Sequence, residues 1–467
     1  MNQSLDQTKS PVAEVKYHNG TLIIKELKAI GLSKIFPWIV WDDRSKYFRC
    51  HAYKYRELIH FLYLNKFDYT DSTPNYNKLQ LSIKTNFTPF EYQTEALKFW
   101  HPSKRGIVIL PTGTGKSYLG AMMIQKMQRS ALIIAPTIDL INQWQTTLIE
   151  WFDCPIGLLG GGSYEIFDLT VSTYDSARIH AHHLGNRFGM MIFDECHHLP
   201  SPAYAEMARS YIAPFRLGLT ATLNEEDDKR ILLHELLGNV VYNKEIQQLS
   251  GEFLAPYKVE SIEVELTEKE REQYEYHRSI YLTFRDQAPG QYSQSTTWEK
   301  FVMYCYRTAE GRKALQSFAI QKQIAIAAQK KLEALADILI KHNHERILIF
   351  TNDNKTAYII SSLFLLPLIT HETKAKERKQ ILKNFRSGTW PFLVSSRVLN
   401  EGVDVPEANI AVVVSGTSTV KEHVQRLGRI LRKKEGKKAT LYELITIDTG
   451  EIYTSRKRRE HGAYENI

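Results

Sequence analysis

The sequence contains few cysteines, and their arrangement argues against several classes of protein. Only 4 occur among 467 residues, and no two of them form a CxxC pair. Such wide spacing argues against a zinc site or an iron–sulfur cluster and is typical of reduced thiols in the cytosol. We therefore expect a cytoplasmic protein, associated with the nucleoid if its partner is DNA.

Long apolar runs, repeats and low-complexity tracts are also missing. No stretch of about eighteen apolar residues occurs, so no segment is expected to span a membrane. The polar residues 1–10 lack the apolar segment of a secretory signal. The hydrophobic fraction of 43% and the charged fraction of 24% are ordinary for globular proteins. The length predicts about three domains.

The chain carries a modest excess of positive charge. Its 60 basic and 52 acidic residues give a net charge of +8 and an isoelectric point of about 9.0. This excess weakly favours a polyanionic partner. Because many basic proteins bind no nucleic acid, charge alone leaves the partner open.

A phosphate-binding loop is the most informative feature that is present. It follows an apolar strand and precedes a helical stretch from Tyr118, so backbone N–H groups and the helix dipole would face bound phosphates. Lys116 is expected to reach the β- and γ-phosphates of ATP, and the Ser117 hydroxyl to ligate Mg²⁺. The strict pattern has glycine at position 110, where this chain has leucine. The predicted ATP-binding residues of the loop are Thr112, Gly113, Thr114, Gly115, Lys116 and Ser117.

An acidic pair follows another apolar strand downstream. Asp194 is expected to hold the Mg²⁺, and Glu195 to orient the attacking water. Cys196, His197 and His198 come next. Metal binding is one interpretation of these three residues. Their place directly after the acidic pair favours a role in the nucleotide site.

Two blocks of alternating strands and helices predict two parallel sheets. The first block covers residues 87–245 and contains the phosphate loop. The second runs from about 332 to 450, within a predicted domain over 246–467, and has no such loop. We expect ATP to bind between them. The predicted strands are Ile107–Leu110, Ala131–Ala135, Leu169–Ser172, Met190–Phe193 and Leu217–Leu219 in the first block, and Arg346–Phe350, Pro367–Thr370, Phe392–Ser395, Ile410–Ser415 and Ala439–Ile445 in the second.

Two further segments lie outside this alternation. Residues 1–86 predict a small α+β domain, with strand-like alternation over Trp38–Tyr55 around a charged tip and a helix over Arg56–Asn65. Residues 266–331 predict a helical hairpin broken at Pro289. Its interleaved basic and aromatic residues could grip a nucleic acid strand by stacking and charge. Alternatively, most of the aromatic residues form the small core of a helix pair.

Several polar groups elsewhere are candidates for completing an ATP-driven machine. Arg426, Arg429 and Arg432 recur every three residues and share one helix face, from which an arginine finger could approach the γ-phosphate. Thr220 and Thr222 follow a strand, as a coupling element would. Gln93 lies upstream of the loop, where it could bind the adenine edge or be a buried structural residue. Residues 400–406 form a polar turn that we expect to face the same cleft.

Taken together, these segments resemble the motifs of superfamily 2 DExH helicases. The resemblance covers about residues 87–450. Within that class the chain resembles the XPB family in its short archaeal or bacterial form, through residues 192–200 and 218–222 and through the run that begins at Trp41. The matching motifs occur in order at 110–117 (I), 135–137 with 143–144 (Ia), 172–174 (Ib), 194–197 (II), 220–222 (III), 349–351 (IV), 400–406 (V) and 425–432 (VI).

The resemblance implies an α/β fold with two RecA-like parallel-sheet domains, a damage-recognition-like domain at 1–86 and a thumb-like helical insertion at 266–331. It implies an ATP- and Mg²⁺-dependent 3′→5′ DNA helicase or duplex translocase that acts in nucleotide excision repair or at transcription bubbles. Its DNA would be forked, bubble or duplex. Archaeal members imply a partner nuclease, so the chain is expected to be a monomer or a heterodimer. The roles implied are catalysis for Gln425, Arg429 and Arg432, and coupling or DNA contact for Thr220, Thr222, Glu226, Asp227, Gly402 and Asp404.

One departure from the family pattern keeps alternatives open. An Arg-Glu-Asp element follows motif III in the family, and here Glu225 stands where the arginine is expected, before Glu226 and Asp227. That element is thought to separate strands. A translocase that moves on duplex DNA without unwinding it, a motor that acts on RNA, and a damage-binding scaffold that uses ATP as a switch therefore remain alternatives.

Overall fold

A computed structural model describes residues 13–26, 31–84, 87–223, 226–249, 257–289, 298–396, 408–416 and 439–459. The chain forms two compact units, Met1–Lys244 and Glu245–Ile467. Within the described ranges, no helix has both the length and the apolar character needed to cross a bilayer.

A five-stranded sheet opens the first unit. Its order is β3-β4-β2-β1-β5, and all neighbours are antiparallel except β1 and β5. The strand-like alternation predicted for Trp38–Tyr55 is confirmed as a hairpin, and the predicted helix begins and ends one residue earlier than expected. The elements are β1 (Ala13–His18), β2 (Thr21–Glu26), α1 (Leu32–Ile35), β3 (Val40–Asp42), β4 (Tyr47–His51), α2 (Tyr55–Leu64) and β5 (Tyr69–Asp71).

This small sheet is attached to the rest of the first unit by hydrogen bonds and by apolar packing. The Tyr17 hydroxyl donates to the Ala181 carbonyl at 2.8 Å and accepts from the Gly20 N–H at 2.9 Å. Arg56 donates to the Ser103 carbonyl at 2.7 Å. Ile212, from beyond the small sheet, is fully buried in its apolar core. The two parts of the unit therefore share one packed interior.

An eight-stranded sheet forms the centre of the first unit. Its order is β13-β6-β12-β11-β7-β10-β8-β9, and every pair is parallel except β8 and β9. The five predicted strands are confirmed with small shifts at their ends, whereas β8, β9 and β13 were not predicted. The strands are β6 (Arg105–Ile109), β7 (Ala131–Ala135), β8 (Ile156–Gly160), β9 (Ser163–Tyr164), β10 (Leu169–Thr173), β11 (Met190–Asp194), β12 (Phe215–Thr220) and β13 (Val240–Asn243).

Helices cover this sheet and bury its central strands. Every residue of β7 is buried, as expected for a parallel strand covered on both faces. Arg216 on β12 is also fully buried, and its guanidinium donates to four backbone carbonyls at 2.7–3.2 Å. The helices are α3 (Glu91–Trp100), α4 (Lys116–Met127), α5 (Ile138–Trp151), α6 (Tyr174–Ile179), α7 (Ala181–Leu184), α8 (Pro202–Arg209) and α9 (Asp227–Leu237).

The second unit contains a six-stranded, wholly parallel sheet of order β14-β19-β18-β15-β17-β16. The second parallel sheet is thus confirmed, but β14, which lies before the helical insertion, was not predicted. The strands are β14 (Tyr257–Val264), β15 (Ile347–Phe350), β16 (Leu368–Ile369), β17 (Phe392–Ser395), β18 (Ile410–Val413) and β19 (Ala439–Thr446). The helices are α10 (Ile246–Leu249), α11 (Glu268–Gln287), α12 (Trp298–Cys305), α13 (Ala309–Ile326), α14 (Gln329–Lys341), α15 (Asn354–Phe364), α16 (Ala375–Ser387) and α17 (Glu451–Arg459).

The predicted helical hairpin at 266–331 was wrong, because three complete helices lie in the described parts of this segment, 266–289 and 298–331. A break separates α12 from α13, where the Thr308 hydroxyl caps the new helix by accepting from the Gly311 N–H at 2.9 Å. Some aromatic residues form a small core around Cys305, as one of the two interpretations predicted. Others, including Tyr276 and Tyr306, are exposed.

Candidate nucleotide-binding site

The phosphate loop lies between the carboxyl end of β6 and the first turn of α4. Gly113 and Gly115 have φ values of 89° and 75°, which glycine adopts far more easily than other residues. The Thr114 hydroxyl donates to the Pro111 carbonyl at 2.7 Å and steadies the turn. Leu110 is fully buried and its N–H donates to the Thr220 carbonyl at 2.9 Å. Leucine is therefore tolerated at this position because its side chain belongs to the core.

The loop presents a cation and two hydroxyl groups at the start of α4. Lys116 is the first residue of the helix, and its ammonium donates to the Leu110 carbonyl at 3.2 Å. Ser117 is the next residue and is half-buried. The Thr112 hydroxyl is buried without a hydrogen-bond partner in the described part of the chain. An unsatisfied buried hydroxyl beside a helix N-terminus fits a loop that accommodates an anion.

The side chain of Gln93, on α3, stabilises the phosphate loop by hydrogen bonds. It is buried, and its amide N–H groups donate to the carbonyls of Thr114 at 3.1 Å and Gly115 at 3.4 Å. Its amide oxygen accepts from the Phe90 N–H at 3.0 Å. In this structure Gln93 is engaged as the buried structural residue that the sequence left as an alternative to adenine contact.

The acidic pair lies at the carboxyl end of β11. One carboxylate oxygen of Asp194 accepts from the Glu195 N–H at 3.0 Å. The other accepts from the Trp144 indole N–H at 2.8 Å. Burial and the neighbouring Glu195 raise the pKa of Asp194 to about 6, against the lowering effect of Lys116. Because the carboxylate of Asp194 is buried away from water, its charged form depends on the hydrogen-bond donors and cations around it.

Glu195 adopts a backbone conformation that is rare for its residue type. Its φ of 47° and ψ of 51° lie in the left-handed region, which costs a residue with a side chain ~1–3 kcal/mol. The carboxylate is buried, and its Oε2 atom has no hydrogen-bond partner among the described residues. That atom lies 3.4 Å from Nδ1 of His197. The strained backbone fixes this unpaired acceptor close to the His197 ring.

Trp144 is the site residue that sequence reasoning missed, since it entered only as part of a motif. The indole reaches Asp194 because α4 carries a glycine where the ring passes: a Cβ at Gly120 would lie 2.8 Å from Cη2 of Trp144. Trp144 and Asp194 are 50 residues apart and meet only through the packing of α5 on the sheet. No local pattern could have indicated this contact.

A polar connection joins the acidic pair to the end of β12. Nδ1 of His197 lies 3.0 Å from the Thr220 hydroxyl, which donates to the Thr222 carbonyl at 2.7 Å. His197 thus contacts both Glu195 and Thr220, and its nucleotide-site interpretation has a geometry that supports it. Among the described residues, no group of three or more histidine, cysteine, aspartate or glutamate side chains is arranged to hold a metal.

Two of the remaining predicted site residues are described by the structure, and both lie on the surface. Glu226 and Asp227 stand at the start of α9, where they are exposed and pair with Lys229 at 2.9 Å and Arg230 at 2.6 Å. The other candidates, including those of the predicted finger, lie outside the described residues: Gly402, Asp404, Gln425, Arg429 and Arg432.

The donor set fits ATP with Mg²⁺. The glycine-containing loop, the unsatisfied Thr112 hydroxyl and the Lys116 ammonium match a polyphosphate. Ser117 and Asp194 offer one hydroxyl and one carboxylate, and Mg²⁺ in nucleotide sites commonly takes few protein ligands beside phosphate and water.

Comparison with known families identifies three matching regions. Residues 86–225 match the Type III restriction enzyme res subunit model, and residues 330–434 match the helicase conserved C-terminal domain. Residues 15–73 match the Xeroderma pigmentosum group B helicase damage recognition domain. The last match coincides with the five-stranded sheet.

Similar proteins come from archaea and bacteria. The DNA 3′-5′ translocase XPB2 of Sulfurisphaera tokodaii is 38% identical over 94% of this chain and 99% of its own length. The DNA 3′-5′ helicase XPB of Mycobacterium tuberculosis is 28% identical over 79% of this chain and 63% of its own length. The solved helicase domain of Pyrococcus furiosus Hef superposes with a TM-score of 0.52 at 19% identity, covering 79% of this chain and 98% of that one. At that identity the superposition supports the fold alone.

Proposed function

Because the chain belongs to the XPB family of superfamily 2 helicases, we propose that it is an ATP-driven motor that moves 3′→5′ on DNA. Its work would be the opening of DNA in repair or at transcription bubbles. The observation that carries this proposal is the 38% identity to a named DNA 3′-5′ translocase across 99% of that protein's length. Motor segments and a damage recognition segment also occur together in this chain.

The geometry at the edge of the first sheet supports ATP as the fuel. Lys116 and the loop N–H groups would bind phosphate oxygens, while Ser117 and Asp194 would hold Mg²⁺. Glu195 would orient the attacking water at its buried Oε2 atom. When bound, Mg-ATP supplies the phosphoanhydride whose hydrolysis drives movement.

His197 would pass the state of this site toward the DNA. It contacts the water-orienting Glu195 on one side and Thr220 on the other, and Thr222 continues the connection. Sequence places further groups in the second block: Arg429 and Arg432, with Gln425, as stabilisers of the phosphoryl group, and Gly402 and Asp404 as DNA contacts. These assignments rest on the family motifs.

The substrate would be forked, bubble or duplex DNA held by its phosphates, which gives a sequence-independent grip. Residues 15–73 would bind DNA and recognise damage in it. The three-helix insertion would bind one strand. A partner nuclease, giving a heterodimer, is part of this proposal.

Strand separation on a forked duplex tests the proposal. We expect ATP-dependent unwinding from a fork with a 3′ tail and little from one with only a 5′ tail. Removal of Mg²⁺ by chelation should stop it without releasing the DNA. Equal unwinding from both tails would contradict the polarity, and unwinding without nucleotide would contradict the motor.

Translocation on duplex DNA without unwinding is a second candidate, favoured by a specific departure. Glu225 replaces the arginine of the family's strand-separating element, and the related archaeal protein is named a translocase. Displacement of a third strand from a DNA triplex distinguishes the two. ATP-dependent triplex displacement with no fork opening would favour translocation, whereas both activities together would favour the helicase.

A further inference from the structure

A second cavity, distinct from the phosphate loop, lies within the second unit. Its volume is about 460 Å³, which falls in the range of small-molecule pockets. Asn352, Gly416 and Gly450, which follow β15, β18 and β19, form its floor. Helices α11 and α13 form its walls. The carboxyl ends of parallel strands are where ligands of α/β folds bind.

Aromatic rings provide one wall of this cavity. Tyr281 of α11 and Phe318 of α13 both line it, are only partly buried, and have ring centroids 4.8 Å apart. At the back, the Tyr274 hydroxyl accepts from the Gly450 N–H at 3.2 Å and from Arg278 at 3.1 Å. The insertion is therefore anchored to the sheet. Tyr281 and Phe318 also contact Phe301 and Trp298, and both stay partly exposed beside the cavity.

Gln321 carries an acceptor that the described residues leave unpaired. Its side chain is 6% exposed and lines the cavity, and its Oε1 atom is buried without a hydrogen-bond partner among the described residues. Buried acceptors are nearly always satisfied, since leaving one unpaired costs free energy. Because the side chain lines the cavity, rotation of its amide would bring this unpaired acceptor to a ligand.

The cavity is also positively charged at its rim. Arg278, Arg285 and Lys322 line it, against one acidic residue, Glu451. That carboxylate is already engaged, because the fully buried Lys331 donates to it at 2.6 Å. Arg285 donates to its neighbour Asp286. Arg278 and Lys322 are therefore the cations best placed to attract an anionic ligand.

We propose that this cavity binds a single nucleotide. The base stacks on Tyr281 and Phe318, an N–H of the base edge donates to Oε1 of Gln321, and the phosphate is held by Arg278 and Lys322. Each of the common bases carries such a donor, so recognition is of a nucleotide rather than of one base. The nucleotide is either one unstacked from a DNA strand or a free monophosphate. The DNA source rests on the proposed function, whereas the free source does not.

The first arm of the test measures a free nucleotide. Deoxyadenosine monophosphate is titrated into the full chain by calorimetry with saturating Mg-ADP, which keeps the phosphate loop occupied. Tyr281→Leu should weaken binding by about ten-fold, the effect expected for loss of one stacking contact. Gln321→Leu should weaken it by up to about ten-fold, the effect expected for loss of one hydrogen bond. Two residues outside the cavity on the same helices give the matched controls, Tyr276→Leu and Gln323→Leu.

Gln321→Leu also carries its own check on folding. Because the amide oxygen is unsatisfied in the free protein, an apolar side chain of similar size should leave the unfolding temperature unchanged or higher. A merely structural glutamine would lower it on replacement. The variant therefore separates a ligand-binding role from a packing role.

The second arm measures a nucleotide within DNA. Single abasic sites are placed along the 3′ tail of a forked duplex, whose junction fixes the register, and affinity is measured for wild type and Tyr281→Leu. A penalty at one position in wild type that disappears in the variant assigns the pocket to a DNA nucleotide. Loss of monophosphate binding without such a position assigns it to a free nucleotide.

If Tyr281→Leu and Tyr276→Leu had equal affinities for the monophosphate and for the DNA, the proposal that the cavity binds a nucleotide would be wrong. ATP turnover stimulated by the same fork is measured on the same preparations. If the fork did not stimulate ATP turnover in wild type, the proposed function would be wrong, and the monophosphate titration alone would test the nucleotide pocket. If the fork stimulated ATP turnover but wild type and Tyr281→Leu bound both ligands equally, only the nucleotide-pocket proposal would be wrong.

Discussion

Replacing Trp144 with phenylalanine removes the indole N–H that donates a hydrogen bond to the carboxylate of Asp194. The indole N–H donates to Asp194 at 2.8 Å, and the ring is buried. Phenylalanine keeps an aromatic ring at that position but offers no donor. The change therefore alters the charge state of Asp194 with limited loss of packing.

The size of the effect follows from the hydrogen bond. A bond to a charged group contributes ~1.5–3 kcal/mol, and one pKa unit corresponds to ~1.4 kcal/mol. The pKa of Asp194, already raised to about 6, should therefore rise by about one to two units. A carboxyl with a raised pKa stays protonated to higher pH, so its ionised fraction at pH 7 should fall from about 90% to about 10–50%. A protonated carboxyl does not hold Mg²⁺.

The assay is the pH dependence of kcat/KM for ATP hydrolysis, which reports groups of the free enzyme. Wild type should lose activity as the pH falls through about 6. Trp144→Phe should lose it at higher pH, be about 2–10-fold slower at pH 7, and recover near pH 9. An equal loss at every pH, or a profile that overlays wild type, would refute the reasoning.

Two further variants separate the hydrogen bond from general damage. Trp151→Phe changes the last residue of the same helix, whose ring contacts Tyr118 rather than Asp194, so its profile should match wild type. Gly120→Ala places a Cβ 2.8 Å from the Trp144 ring. This variant keeps the indole but displaces it. The pH below which kcat/KM falls should therefore also rise.

Three other changes test separate parts of the account. Lys116→Ala should abolish ATP turnover while leaving DNA binding, measured by fluorescence anisotropy, largely intact; normal turnover would remove the phosphate-loop assignment. Arg429→Ala should slow turnover on the order of 10³-fold if it is the arginine finger, and unchanged turnover would show that the second block does not complete the site. Arg216→Leu removes one donor from each of four backbone carbonyls, of which Leu236 keeps a second donor in Arg105. It should lower the free energy of unfolding by more than ~3 kcal/mol. The exposed Arg44 gives the matched control for denaturation, Arg44→Leu, and an equal midpoint in both variants would contradict that burial argument.

The strands of the parallel sheets could largely be predicted because burial on both faces leaves an apolar run in the sequence. Ala131–Ala135 is the plainest case, with the predicted and observed bounds identical. The edge strand β14 was missed although its apolar and charged residues alternate, as is typical of a half-exposed strand. Its partner β19 lies about 180 residues later, and nothing local links the two.

The helical insertion shows the limit of local signals in another way. The break near Pro289 was visible because proline and glycine interrupt helices. The second break depends on Thr308, whose hydroxyl caps the start of α13. A threonine three residues before the glycine of a helical pattern is a weak signal, and the hairpin prediction passed over it.

In the candidate site, too, local motifs could be predicted, whereas contacts between distant segments could not. The loop and the acidic pair are local motifs, so their positions after β6 and β11 could be predicted. The contacts of Asp194 with Trp144 and of His197 with Thr220 depend on the sheet order, in which β7 and β12 flank β11. That order brings the carboxyl ends of distant segments together and cannot be deduced from residue spacing.

ATP hydrolysis measured without nucleic acid and with single-stranded DNA, forked duplex DNA and RNA tests the central claim most directly. Glu195→Gln is the control, because it keeps the side chain's shape and removes the charge that orients water. We predict strong stimulation by DNA that is lost in this variant. Turnover indifferent to DNA, or stimulated only by RNA, would contradict a DNA motor and leave only an ATPase with two parallel-sheet blocks.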